Sequence, residues 1–351
     1  MVEYYVILRR AKRHAFKFAV TSLTPHLRCW ARLALSTSAL AFAFASPGWS
    51  ANECGPDASG QGANDCGLFI PQINNGITYL NSDGITLDLN NSAATITRAA
   101  GGGIAAIDLR DTDTGTGDLI VNATDFDRMS NFQRGIFILK AGVSGDTSVT
   151  LNNGTIQTIN GQTSSHGAAI YMAPTATGNA SITVDGGTII TDGLNSAGLS
   201  INNAGQGNAS IVINGGQIES RSTANPGAIS MVTNLTSTAS SSIVMNDGDV
   251  RTGIGSAGLN SGGIIARNLG LGTAHAEIHA GTVAVRGAGL SQGGGGRDAW
   301  LSLSSGVAAV IGSATIGATR PQNATNTSLA SALMTGGHIT VSGIRAVFWR
   351  L

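Results

Sequence analysis

Residues 148–158 read SVTLNNGTIQT, and the same unit returns as SITVDGGTIIT at 181–191. It appears again as SIVINGGQIES at 210–220, as SIVMNDGDVRT at 242–252 and, shortened, as EIHAGTVAVRG from Glu277. The shared glycines are Gly154, Gly187, Gly216, Gly248 and Gly281, giving spacings of 33, 29, 32 and 33 residues. Within a copy, Ile182 and Val184 point one way while Ser181, Thr183 and Asp185 point the other, the period of a β-strand. The pairs Asn153-Gly154, Asp185-Gly186, Asn214-Gly215 and Asp247-Gly248 turn the chain, because glycine accepts positive φ without steric cost. A second short strand such as 188–191 follows, then a Ser/Asn/Gly-rich loop. The third strand is led by glycine: GIFIL at Gly135, GAAIY at Gly167, GLSIN at Gly198, GAISM at Gly227 and GIIAR at Gly263. GIAAIDL at Gly103 fits the same slot.

Three strands and three bends in about 32 residues make one coil of a solenoid. Stacked coils set Val149 and Leu151 over Ile182 and Val184, Ile211 and Ile213, then Ile243 and Met245. No coil can bury its own apolar face, so its neighbours must. The sequence therefore predicts an all-β, right-handed parallel β-helix. Residues 71–345 would form about eight or nine coils, a stack roughly 40 Å long. The repeat blurs at 288–335 and recovers in GGHITVSG around Gly337. A β-propeller fits less well, since its blades take about 40–45 residues and four strands.

Composition narrows the class. The 351 residues include 49 Gly, 42% hydrophobic residues and only 11% charged ones. That excludes charge-driven disorder, and glycines without a three-residue period exclude collagen. The formal net charge of zero hides a division. Residues 1–32 carry seven bases against Glu3, or +6, which leaves −6 on the remainder. LALSTSALAFAFA at 33–45 follows, shorter than the roughly 20 residues of a membrane span. A basic leader, a short apolar run and then small residues read as an extended secretory signal over 1–51, an uncleaved anchor being the alternative. Export by the general secretory route is expected. Cys29 lies in that leader. Cys54 and Cys66 lie in an N-terminal cap at 52–70, where CGPDASGQGANDC can close as a disulfide in an oxidising compartment, or remain two free thiols.

The basic leader opening with Tyr4, Tyr5, Arg9 and Arg10, the Gly/Asn/Ser/Thr-rich repeats, the few cysteines and a single later lysine, Lys140, resemble the passenger domain of a Gram-negative autotransporter. The resemblance covers roughly residues 1–345 and lies in repeat architecture, not in catalytic signatures. It implies a cell-surface, outer-membrane or secreted destination and an outer-membrane translocator β-barrel as partner. Residues 346–351 read AVFWRL, and the barrel that the resemblance implies is expected to be missing. The expectation is a fragment of a longer chain or a translocator on a separate protein. Without a translocator the chain would stay periplasmic.

Chemical motifs are sparse. Asp108, Asp111, Asp113 and Asp118 in IDLRDTDTGTGD could form a catalytic or Ca²⁺-binding group on one strand face. A polar loop between coils is the plainer reading. His275 and His279 depart from the HExxH zinc pattern, and on a strand they stand about 13 Å apart. No metal or cofactor site is expected. The phosphate-loop pattern is absent, GGGG at 293–296 reads as a linker, and no basic–aromatic patch suggests nucleic acid. The sequence favours a non-enzymatic surface protein acting in adhesion to a host or neighbouring-cell glycan or protein, or in self-association. A carbohydrate-active β-helix enzyme using the Asp cluster is one alternative. A truncated remnant without its own role is another.

Overall fold

The structure is a computed structural model describing residues 63–65, 72–74, 76–80, 84–98, 104–112, 114–161, 167–193, 196–222, 227–234, 237–252, 263–286, 307–311, 317–319 and 330–342. All of these belong to one unit, Ser50–Leu351. The leader, Cys54, Cys66 and Asp113 lie outside the described residues.

The described chain is a parallel β-helix with three faces. Coil 4 shows the plan: Gly167–Pro174 on face A, Ala180–Val184 on face B and Thr188–Gly193 on face C. Coil 5 repeats it with Ser196–Asn203, Ala209–Ile213 and Gln217–Ser222, each paired in parallel with its counterpart. Coil 3 (134–161), coil 6 (229–252) and coil 7 (264–286) follow the same order. In coils 1 and 2, faces B and C merge into the long strands Ile85–Thr97 and Leu119–Phe132, whose mutual register shifts near Asn90 and Thr95. Seven coils thus carry all three faces, slightly fewer than the length suggested. The difference lies at the ends. Ala63–Asp65 and Gln72–Asn74 pair only with Ile85–Thr97, contributing to two faces.

The C-terminal end is irregular on one face alone. Val307–Ile311 lies antiparallel to Ile264–Asn268, and Gly317–Thr319 runs antiparallel to it in turn. Faces B and C nevertheless continue in parallel through Ala330–Met334 and His338–Ser342. A strand running the wrong way cannot continue face A's coil, which is why the repeat fades from the sequence there.

Face B realises the interior ladder read from the sequence. Val149, Ile182, Ile211 and Ile243 are consecutive partners, as are Leu151, Val184, Ile213 and Met245. Each exposes 1% or less, and burying such a side chain stabilises by roughly 1.5–3 kcal/mol. Face C adds Ile156, Ile189, Ile218 and Val250.

Face A departs from the sequence alignment. Ile136 pairs with Ile170, so Gly135 lies beside Ala169 and not beside Gly167. One inward column runs Ala106, Gly135, Ala169, Gly198, Ala228 and Gly263. Gly167 and Gly227 fall outside it. A Cβ on Gly135 would collide with the Ile156 side chain on face C. The column is therefore kept small: glycine stands where face C comes within reach of a Cβ, as at Gly135, and other rungs carry alanine. Matching glycines alone misplaced the register.

Side chains tie coils together at the corner entering face B. Asp118 Oδ1 accepts the Asp146 N–H at 2.7 Å, Asp146 Oδ1 accepts that of Asn179 at 2.7 Å, and Asn179 Oδ1 that of Asn208 at 3.0 Å. Asn208 Oδ1 continues to Ser240 at 2.9 Å. Each side chain satisfies a backbone donor that the bend removes from the strand ladder.

Candidate functional site

Three groups of chemically capable side chains emerge: the Asp108–Asp118 segment, an aromatic–arginine cluster on face A, and a histidine–glutamate cluster on face B.

The acids do not gather. Asp108 and Asp111 are three residues apart on Ala105–Asp111, so period-two alternation puts them on opposite sides of the sheet. Asp108 faces outward, with both oxygens engaged by Arg110: Nε donates to Oδ1 and Nη2 to Oδ2, each at 2.7 Å. That bond holds the Arg110 guanidinium above its ordinary pKa. Asp111 faces inward and pairs with Lys140, the two side chains exposing 1% and 0%. Lys140 Nζ also donates to the Gly117 carbonyl at 2.7 Å and the Gly115 carbonyl at 3.4 Å. It thereby clamps the loop between faces A and B. Asp118 belongs to the corner ladder. Asp108 is engaged within its own strand, Asp111 and Asp118 hold neighbouring coils together, and no two of these three described acids converge on a common substrate position.

The lysine occupies a polar corner column. Asp111 and Lys140 are cross-strand partners, as are Lys140 and Pro174, with Asn203, Thr233 and Asn268 extending the row. Asn203 and Asn268 work as the lysine does. Asn203 accepts from Gly205 N at 2.9 Å and donates to the Gly207 carbonyl at 2.6 Å, while Asn268 accepts from Gly270 N at 2.9 Å.

On the outside of face A, Phe137 and Tyr171 stack on adjacent rungs with centroids 5.7 Å apart and planes 7° from parallel. Arg134 lies 4.5 Å from the Phe137 centroid and 5.5 Å from that of Tyr171, and Arg110 lies 5.1 Å from Phe137. Burial pushes the Arg134 guanidinium below its ordinary pKa and the Tyr171 phenol above its own. Both rings are buried, at 7% and 3% exposure, so the group packs the outside of the sheet. The sequence reading missed it. Its signal was one aromatic in matching slots, Phe137 two residues after Gly135 and Tyr171 two after Ala169.

On the outside of face B, hydroxyls recur. Ser148, Ser181, Ser210 and Ser242 are consecutive partners, and His275 and Ser331 continue the column. All four serines are partly exposed, as are Thr150 and Thr183 in the neighbouring column. At coil 7 the pattern changes. His275 Nε2 lies 3.2 Å from Glu277 Oε2, and His279 Nε2 lies 3.3 Å from Glu277 Oε1. No protein-family model, curated protein or solved structure matches the chain.

Proposed function

We propose that the chain is an exported, passenger-like surface protein that acts without catalysis, through adhesion or self-association. The observation carrying this reading is the array on face B, where one hydroxyl repeats at every rung from Ser148 to Ser242. Rungs spaced about 4.8 Å apart present the same donor and acceptor at a fixed interval. Such an array suits a partner that is itself periodic, a glycan chain or another solenoid. The aspartates support the same reading, because Asp108 is occupied by Arg110 on its own strand and Asp111 and Asp118 by coil-to-coil bonds. An autotransporter-type leader and a translocator barrel on the outer membrane complete the proposal.

The test is direct. Purified chain should bind host or neighbouring cells, matrix glycans or itself. Ser181→Lys and Ser210→Lys together, which place charge in the array without touching the interior, should abolish that binding. Absence of binding to all three removes the proposal. Turnover of a polyuronate that is lost in Asp108→Asn would replace it with the enzymatic reading.

A further inference from the structure

Four Asn-Gly or Asp-Gly pairs turn the chain from face B into face C: Asn153-Gly154, Asp185-Gly186, Asn214-Gly215 and Asp247-Gly248. They look alike in sequence, yet the register separates them. Val184, Ile213 and Met245 are consecutive partners, so Asp185 and Asn214 stand one residue further on, level with Asn246 in the first position of the bend. Asn153 and Asp247 occupy the second position. Each directly precedes a glycine of positive φ, Gly154 at 99° and Gly248 at 110°.

At the first position the side chains are tied between coils. Asn214 Nδ2 donates to Asp185 Oδ1 and Asn246 Nδ2 to Asn214 Oδ1, both at 2.7 Å. Asn153 Nδ2 turns to Asp125 Oδ1 at 3.0 Å. Asp247 instead folds back on its own backbone: its Oδ1 accepts the N–H of Gly248, the next residue, at 2.7 Å. Among the described residues, that pair alone of the four makes this contact. Asp247 is exposed, so water reaches its carboxyl group.

The contact holds the Gly248 nitrogen against the carboxyl group of the preceding residue, the approach that ring closure between them requires. We propose that Asp247 is a site of spontaneous aspartate isomerisation, selected from the four pairs by the fold. Gly248 N bonds to Asp247 Cγ, and one Cγ–O bond breaks. The oxygen leaves as water, carrying one proton from that nitrogen and one from solvent. Water then opens the five-membered imide. Attack at Cγ restores aspartate, while attack at the main-chain carbonyl gives isoaspartate, whose backbone runs through Cβ and Cγ. The product adds a methylene to the main chain at this bend. Beside it the Asp249 N–H donates to the Gly216 carbonyl and the Gly248 carbonyl accepts from Thr282, each at 2.9 Å. Isoaspartate therefore loosens face C of coil 6 from both neighbouring coils. Sequence alone ranks the asparagine pairs first, because at neutral pH an amide closes this ring more readily than a carboxylate. The fold reverses that order.

The experiment holds the folded full chain in warm neutral buffer for several weeks, beside the same chain unfolded in urea. Peptide mapping with electron-transfer fragmentation locates isoaspartate, and labelling by an isoaspartyl methyltransferase counts it. In the folded chain Asp247 should convert about tenfold faster than Asp185 and stay ahead of Asn214. In urea Asn214 should lead. Asp185→Ala, an exposed change that releases the Asn214 amide, should speed deamidation of Asn214 in the folded chain. Isoaspartate forming at Asp247 no faster than at Asp185 in the folded chain, or forming there only in urea, would overturn the proposal. So would Asn214 leading in both states.

Discussion

Gly198 lies directly beneath Ile218: a Cβ on the glycine would fall within the Ile218 Cγ2 methyl and stand 3.1 Å from the Ala228 carbonyl oxygen. Face A meets face C at this column. Gly198→Ala should therefore cost about 1–3 kcal/mol through overpacking. The urea midpoint should fall with an unchanged slope, and much less in an Ile218→Ala background. An unmoved midpoint would mean that the two faces can separate. Gly187→Ala should lose stability for a different reason. Its φ of 81° lies in the left-handed region, and its Cβ would stand 2.7 Å from the Gly154 carbonyl oxygen.

The Lys140–Asp111 pair is enclosed on all sides. Lys140→Met alone leaves a buried carboxylate without its cation and should cost about 3–5 kcal/mol. Lys140→Met combined with Asp111→Leu should recover most of that loss, because no uncompensated charge remains. Equal losses in the single and double variants would show that the loop clamp, and not the charge, accounts for the effect.

Thr252 closes its strand with a buried hydroxyl that has no hydrogen-bond partner among the described residues, and its neighbour on the next rung in the same column is Val285. Thr252→Val should stabilise by about 1 kcal/mol, the cost of desolvating an unpaired hydroxyl. Thr191→Val in the same column should not, because Thr191 Oγ1 donates to the Ser196 carbonyl. Thermal unfolding of the two variants side by side separates these outcomes.

Tyr171 gives the fold an alkaline dependence. Burial raises its pKa in the folded chain. Below about pH 10 both folded and unfolded forms hold the phenol proton, and stability is unaffected. Above that, the unfolded chain releases the proton before the folded one, so stability falls as pH rises toward the folded value. Denaturant titrations below and above about pH 10 should show this decline, and Tyr171→Phe should reduce it.

Face B was legible from sequence because its alternation is strict and its turn glycines recur, Gly154, Gly187, Gly216, Gly248 and Gly281 all having positive φ. Face A was legible in kind but not in register, since its governing column mixes alanine with glycine from rung to rung. The acidic segment, read more plainly as a polar loop between coils, places Asp108 and Asp111 on one strand. An odd spacing divides Asp108 from Asp111 across the sheet, and composition cannot show that. Phe137 with Tyr171, and His275 with Ser331, are joined only by stacking, over separations of 34 and 56 residues. Such contacts become visible once the register is known.

The buried position of Lys140 also has a chemical consequence. Beyond residue 51 it is the sole lysine, so the folded solenoid offers no side-chain amine to acylating reagents or aldehyde cross-linkers. Modification of that one nitrogen would record opening of the coils, a built-in reporter of unfolding that needs no engineered label.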